Sequence, residues 1–195
     1  MGPVSNAMVS MLRSAYLLKV RLLANLLGIE YVSGQLSTCD RGSIAPLLKT
    51  FGASIGDNVN FKDTIWIDNA TGDQDATNDF SNLVIGNNCY IGKGVYFDLP
   101  DKIVIESECA VSAGAMFITH EDCGRRPMSR WYPRKRGGIT VGSGSWIGAN
   151  AILLSDTSLG QCCVVAAGSV VKGRFGEFSV IAGSPARLVK TLPRI

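Results

Sequence analysis

From residue 141 the chain repeats every six residues: VGSGSW, IGANAI, LLSDTS, LGQCCV, VAAGSV, VKGRFG. An aliphatic residue opens each block, at Val141, Ile147, Leu153, Leu159, Val165 and Val171. The second position is usually small, as at Gly142, Gly148, Gly160 and Ala166. The fifth is small or thiol-bearing, at Ser145, Ala151, Thr157, Cys163 and Ser169. The same pattern opens earlier at Ile55-Gly56 and Phe61, at Ile85-Gly86, Ile91-Gly92 and Phe97-Asp98, and at Ile105-Glu106, Val111-Ser112 and Phe117-Ile118. Neither the helical period nor the two-residue period of an ordinary strand explains these blocks. A hexad fits one short strand and one corner, and three hexads make a triangular turn with the aliphatic residues inward. The pattern therefore predicts an all-β solenoid, a parallel β-helix of three stacked sheets over residues 53–190.

Two stretches break the register, and insertions in a solenoid become surface loops. The first is polar and runs from about Ala70 to Asn82. The second, EDCGRRPMSRWYPRKRGG at 121–138, carries Arg125, Arg126, Arg130, Arg134, Lys135 and Arg136 with Trp131 and Tyr132 among them. It reads either as a solvated loop or as a clamp for phosphate groups, and its place beside His120 favours the clamp.

Ahead of the hexads, residues 8–52 form an N-terminal helical cap. A helix is expected over 9–28 with Gly28 as its stop, and a shorter one over Ser43–Phe51 with Ser43 as N-cap. Their simplest role is to cover the open first turn of the solenoid. A second reading has the first helix, basic and amphipathic, touch a membrane. Met1 to Ala7 reads as an appended leader before a native Met8 and is set aside. At the other end, Pro185 and a helix-like ARLVKTL are expected to close the last turn, with 191–195 as a tail.

Composition narrows the function. Apolar residues make up 46% and charged residues 18% of the 195, which excludes a disordered chain. A net charge of +3 gives no reason to expect nucleic acid. The apolar stretch from Met11 to Leu27 is broken by Arg13, Lys19 and Arg21, so neither a secretory leader nor a membrane span is expected. The six cysteines (Cys39, Cys89, Cys109, Cys123, Cys162 and Cys163) form no CxxC pair and read as small buried thiols in a reducing compartment.

His120 is the only histidine, in MFITHED, where a hexad ends and the second insertion starts. A lone histidine is more often structural than catalytic, but this position and the basic loop favour a general base. The hexads resemble those of the hexapeptide-repeat acyltransferases, whose fold is a left-handed β-helix, over residues 55–190. The resemblance implies an acetyl-CoA-dependent acetyltransferase with His120 as base, since the family places its base in a similar T-H or G-H step before a loop. No metal is expected. Asp98, Glu121 and Asp122 are candidates to orient the imidazole, and stacking of the hexads at Phe97 and Phe117 would bring Asp98 to His120. VYFDLPDKIVI resembles the acceptor-side turn of polysaccharide O-acetyltransferases, where an acidic residue lines the pocket; Asp98 as a plain turn residue is the competing reading.

For the donor, the resemblance points to Trp146 and Ala149 in SWIGANA, Ala167 in VAAGSV, Lys172 after it and Arg187 in AGSPARLVK. The family's VTKD-type step reads VVKGRF here, so Lys172 and Arg174 both stay open for a phosphate. The family also implies a homotrimer with sites between subunits, a small or lipid-linked sugar acceptor from cell-envelope polysaccharide synthesis, and a bacterial cytoplasmic location, at the membrane's inner face if the acceptor is lipid-linked. An amino-sugar N-acetyltransferase, an antibiotic acetyltransferase and a non-catalytic β-helix module remain as alternatives. A carbonic anhydrase of the same architecture would need three zinc histidines and is excluded.

Overall fold

The computed structural model describes residues 6–194; residues 1–5 of the segment set aside as a leader, and Ile195 of the tail, lie outside the described residues. Residues 54–183 wind into a left-handed parallel β-helix. Its three faces are parallel sheets. One holds strands Ser54–Ile55, Leu83–Ile85, Ile103–Ile105, Ile139–Val141, Ser158–Leu159 and Arg174–Phe175. The second holds Asn60–Phe61, Tyr90–Ile91, Ala110–Val111, Trp146–Ile147, Val164–Val165 and Ser179–Gly183, and the third Ile65–Asp68, Val95–Asp98, Met116–Phe117, Ile152–Leu153 and Val170–Val171.

Hexad openers stack directly over one another. Phe61, Ile91, Val111, Ile147, Val165 and Ile181 form one inward column. Ile67, Phe97, Phe117, Leu153 and Val171 form another. These side chains are buried, and the Phe97 and Phe117 rings stack at 5.3 Å between centroids. Fifth-position residues Cys89, Cys109, Ser145, Ala151, Thr157, Cys163 and Ser169 are buried too, because each points into the narrow corner of the triangle. Second-position glycine has a steric cause: a Cβ on Gly148 would lie 2.5 Å from the Ala167 nitrogen of the next coil. All six cysteines are free thiols, but Cys39, Cys123 and Cys162 are only partly buried, since they lie outside the inward positions.

The N-terminal helices pack on the first coil. Helix α1 (Asn6–Leu36) is interrupted at Gly28, whose φ of 76° is not helical. Gly28 kinks the chain where a stop was expected. The helix resumes because Ile29, Val32 and Leu36 give its second segment an apolar face to bury. Helix α2 (Arg41–Thr50) starts earlier than expected: Asp40, and not Ser43, is its N-cap, its carboxylate accepting from the Gly42 N–H. Ser43 lies inside the helix and donates to the same carboxylate.

At the other end ARLVKTL is a strand and not a helix. Ala186–Thr191 turns back antiparallel on Ser179–Gly183 and pairs the edge that the last coil would expose. Thr191, placed in the tail by the sequence, ends this strand.

Candidate active site

Three corners join the sheets, and both insertions leave from the same one, after the third sheet. Residues 69–82, the short turn 99–102 and residues 118–138 therefore stack along one edge. His120 stands at the foot of the second insertion, where His120–Glu121 pairs antiparallel with Lys135–Arg136 and turns the segment into an arm.

Asp98 ends its strand in register one coil away, because Phe97 pairs with Phe117. Its carboxylate is buried, and its Oδ2 lies 2.7 Å from His120 Nδ1. The same oxygen accepts from the backbone N–H groups of Thr119 at 2.9 Å and His120 at 3.1 Å. Asn69 Nδ2 donates to the other oxygen, Oδ1, at 2.7 Å. Surrounded by donors, the carboxylate accepts from Nδ1–H of the imidazole, which fixes the tautomer and leaves the Nε2 lone pair available. The His120 side chain is 19% exposed, so the ring is held yet reachable. The geometry leaves a neutral imidazole able to accept a proton at Nε2.

The other two acidic candidates are occupied elsewhere. Glu121 pairs with Lys172 and accepts from Ser155 Oγ at 3.3 Å. The Lys172 hydrogen bond holds its carboxyl below the usual range. Asp122 accepts from the Gly124 N–H at 2.6 Å and from Arg134 at 3.2 Å. The Gly124 hydrogen bond is the main reason that its pKa is lowered.

Arg134 and Arg136 serve a purpose different from the expected phosphate clamp. Arg134 bridges the two insertions, with Asp73 at 2.7 Å, Asp75 at 3.0 Å and Asp122 at 3.2 Å. Arg136 adds Asp101 at 3.4 Å and the Pro100 carbonyl at 3.2 Å. Their guanidinium groups meet carboxylates of the protein because the insertions share one edge. Arg126 caps the Cys123 carbonyl at 3.0 Å.

Beside the Asp98 network, α1 and the first coil enclose a cleft of about 230 Å³ lined by Glu30, Ser33, Asp68, Asn69 and Thr71. Asp68 pairs in register with Asp98 and accepts from the Tyr96 hydroxyl at 3.0 Å. The sequence reading missed Asn69 and Asp68. A signal was present: Asp68 and Asp98 both follow an inward aromatic or aliphatic hexad residue, at Ile67 and Phe97. Counting the first insertion as one loop puts them side by side.

The residues considered for the donor fall into two groups. Ala149 and Ala167 stack at the corner between the second and third sheets, where the Gly168 N–H donates to the Ala149 carbonyl at 2.9 Å. Trp146, 54% exposed, precedes that corner and donates through Nε1 to Ser112 Oγ at 2.9 Å. Arg187, exposed, pairs across from Ala182 beside the same edge. Lys172 lies at the next corner, paired with Glu121, and Arg174 lies past it, paired with Ser158 on the first sheet.

Comparison with known proteins agrees with this architecture. Residues 138–173 match the model of the bacterial transferase hexapeptide (six repeats), and residues 82–117 that of the hexapeptide repeat of succinyl-transferase. The Escherichia coli K12 protein WbbJ, named for lipopolysaccharide biosynthesis O-acetyl transfer, is 42% identical over 52 residues, 27% of this chain and 26% of its own. A Morganella morganii chloramphenicol acetyltransferase is 25% identical over 112 residues, 57% of this chain and 52% of its own. The chain thus spans about a quarter and about half of these two relatives. A hexapeptide-repeat acetyltransferase of Vibrio cholerae superposes with a TM-score of 0.70 at 18% identity, over 92% of this chain and 94% of that one. A structure of it with acetyl coenzyme A superposes at 0.67 and 19% identity, over 84% of each chain. Likeness at this identity establishes the fold.

Proposed function

We propose that this chain, whose residues 82–117 and 138–173 match hexapeptide-repeat models, is an acetyltransferase of that family that moves an acetyl group from acetyl-CoA to a sugar hydroxyl, with His120 as general base. The observation that carries the reading is the buried Asp98 carboxylate on His120 Nδ1. A hydroxyl is a weak nucleophile until a base takes its proton. Nε2 of His120 accepts that proton while the oxygen bonds to the thioester carbonyl carbon. The tetrahedral oxyanion collapses, the C–S bond breaks, and the imidazolium returns the proton to the leaving thiolate. Asp98 stabilises the imidazolium in between. Direct transfer needs both substrates held together, and this positioning supplies much of the rate.

On this reading the donor lies along the corner of Ala149 and Ala167, where small side chains let it approach the backbone. Trp146 flanks it and Arg187 meets a phosphate. Lys172, already paired with Glu121, is the weaker candidate for that contact, and Arg174 lies on another sheet. The acceptor side is the polar cleft at Asp68 and Asn69, whose carboxylates and amide suit a polyhydroxyl ligand. The short likeness to WbbJ supports an envelope-polysaccharide sugar as acceptor. A homotrimer with sites between subunits is part of the proposal, the flat sides of the prism suiting symmetric closure.

A second reading, antibiotic acetylation, is favoured by the longer likeness to the chloramphenicol enzyme. Thiol release from acetyl-CoA against sugars, nucleotide-sugars and chloramphenicol separates the two. Release with a sugar class that disappears in His120→Ala supports the proposal. Release with chloramphenicol alone overturns its acceptor, and acetyl-CoA failing to bind overturns its donor.

A further inference from the structure

Helix α1 has two apolar faces, and only one is used by the fold. Val20, Tyr16 and Leu17 pack toward the core. On the opposite side Met11, Leu18, Leu22 and Leu26 form a second row, spaced four or seven residues apart and between 59% and 81% exposed. Such spacing keeps them on one stripe. Residues 6–27 extend about 33 Å at the helical rise, long enough for a surface contact. No described helix is long and apolar enough to cross a membrane, so a contact through this stripe lies along a surface.

Charge selects the surface. Residues 6–29 contain Arg13, Lys19 and Arg21 and no acidic residue. Arg13 is taken by Asp40 at 2.6 Å, while Lys19 and Arg21 are exposed. By helical geometry Lys19 and Arg21 fall on the two flanks of the apolar stripe. A second copy of the same helix would bring like charges together with no carboxylate to pair them. A layer of anionic headgroups over hydrocarbon answers both features: leucines enter the acyl boundary and the cations reach the phosphates.

We propose that the outward face of α1 docks this protein on an anionic lipid bilayer. Contacts between α1 and strand Ile65–Asp68 then hold the His120 edge close to the bilayer. The docking itself rests on α1 alone and not on the transferase reading.

The test is flotation of the full chain with neutral phosphatidylcholine vesicles and with vesicles carrying about 30% phosphatidylglycerol, at low and high salt. The expected result is at least about tenfold stronger partitioning onto the anionic vesicles, weakened by salt. Leu18→Glu with Leu22→Glu is expected to lose about tenfold or more of this binding. Lys19→Glu with Arg21→Glu is expected to remove the preference for anionic lipid. These side chains are solvent-exposed, so retained circular dichroism checks that the variants stay folded. No binding to either vesicle, equal binding to both, or leucine variants that dissociate an oligomer in light scattering without changing vesicle binding, overturns the proposal.

Discussion

Asp98 Oδ2 stands 2.7 Å from His120 Nδ1, although the two residues are 22 positions apart and belong to successive coils. The contact follows from the repeat. Phe97 and Phe117 pair in register, so the residues that leave each strand arrive at the same corner. Within the proposed mechanism Asp98→Asn exchanges an acceptor for an amide that can donate to Nδ1, which favours the wrong tautomer. Turnover is expected to fall by about 10²–10⁴-fold, with acetyl-CoA affinity unchanged. Steady-state kinetics with donor binding by calorimetry checks this.

Asn69 holds the far oxygen of the same carboxylate. Asn69→Ala leaves that oxygen short of a donor and loosens the orientation of the pair. We expect about a 5- to 50-fold loss in kcat, roughly the cost of one charge-assisted hydrogen bond. The KM for acetyl-CoA should not move. A change confined to stability, with kcat intact, would make Asn69 purely structural.

Arg134 ties the two insertions together, and its partners give the contact a pH dependence. Asp75 is held below the ordinary carboxylate value, first by its hydrogen bond from Arg134. Asp122 is lowered as well. A depressed folded pKa means that the docking is complete above the unfolded value, about 4, and is lost as pH falls through the folded value. Hydrogen exchange across 121–137 should therefore quicken in acid below about pH 4. In Arg134→Ala it should already be fast at neutral pH. Protection that is the same in both proteins would contradict the latch.

The coil corners give a prediction about stability alone. Gly148→Ala places a Cβ against backbone of the next coil and should destabilise by about 1–3 kcal/mol. Nothing lies within 4 Å of a Cβ on Gly176, so Gly176→Ala should be close to neutral. Urea denaturation of both variants compares them directly.

How much of this was legible in the sequence depends on how local each feature is. The hexads specified the coils, the inward columns and the buried fifth positions, since every coil repeats the same steric problem. The Asp98–His120 pairing followed from the register. What escaped depended on contacts between interruptions. The basic residues of 121–138 suggest a phosphate clamp when read alone. Arg134 meets Asp73 and Asp75 only because both insertions leave by one corner. The Asp40 cap was likewise hidden by Ser43, a good capping residue that lies one turn further along. The closing strand 186–191 was read as helical because Ala186, Arg187, Leu188 and Lys190 are good helix formers. Its partner, the exposed edge at 179–183, decides the outcome.

The central claim is that His120 removes the acceptor proton. Its most direct test is the rate of acetyl transfer by His120→Ala at saturating acetyl-CoA, measured beside donor affinity on the same preparation. Turnover is expected to drop by about two to four orders of magnitude with affinity and fold retained. Turnover near that of the wild type would show that the base lies elsewhere.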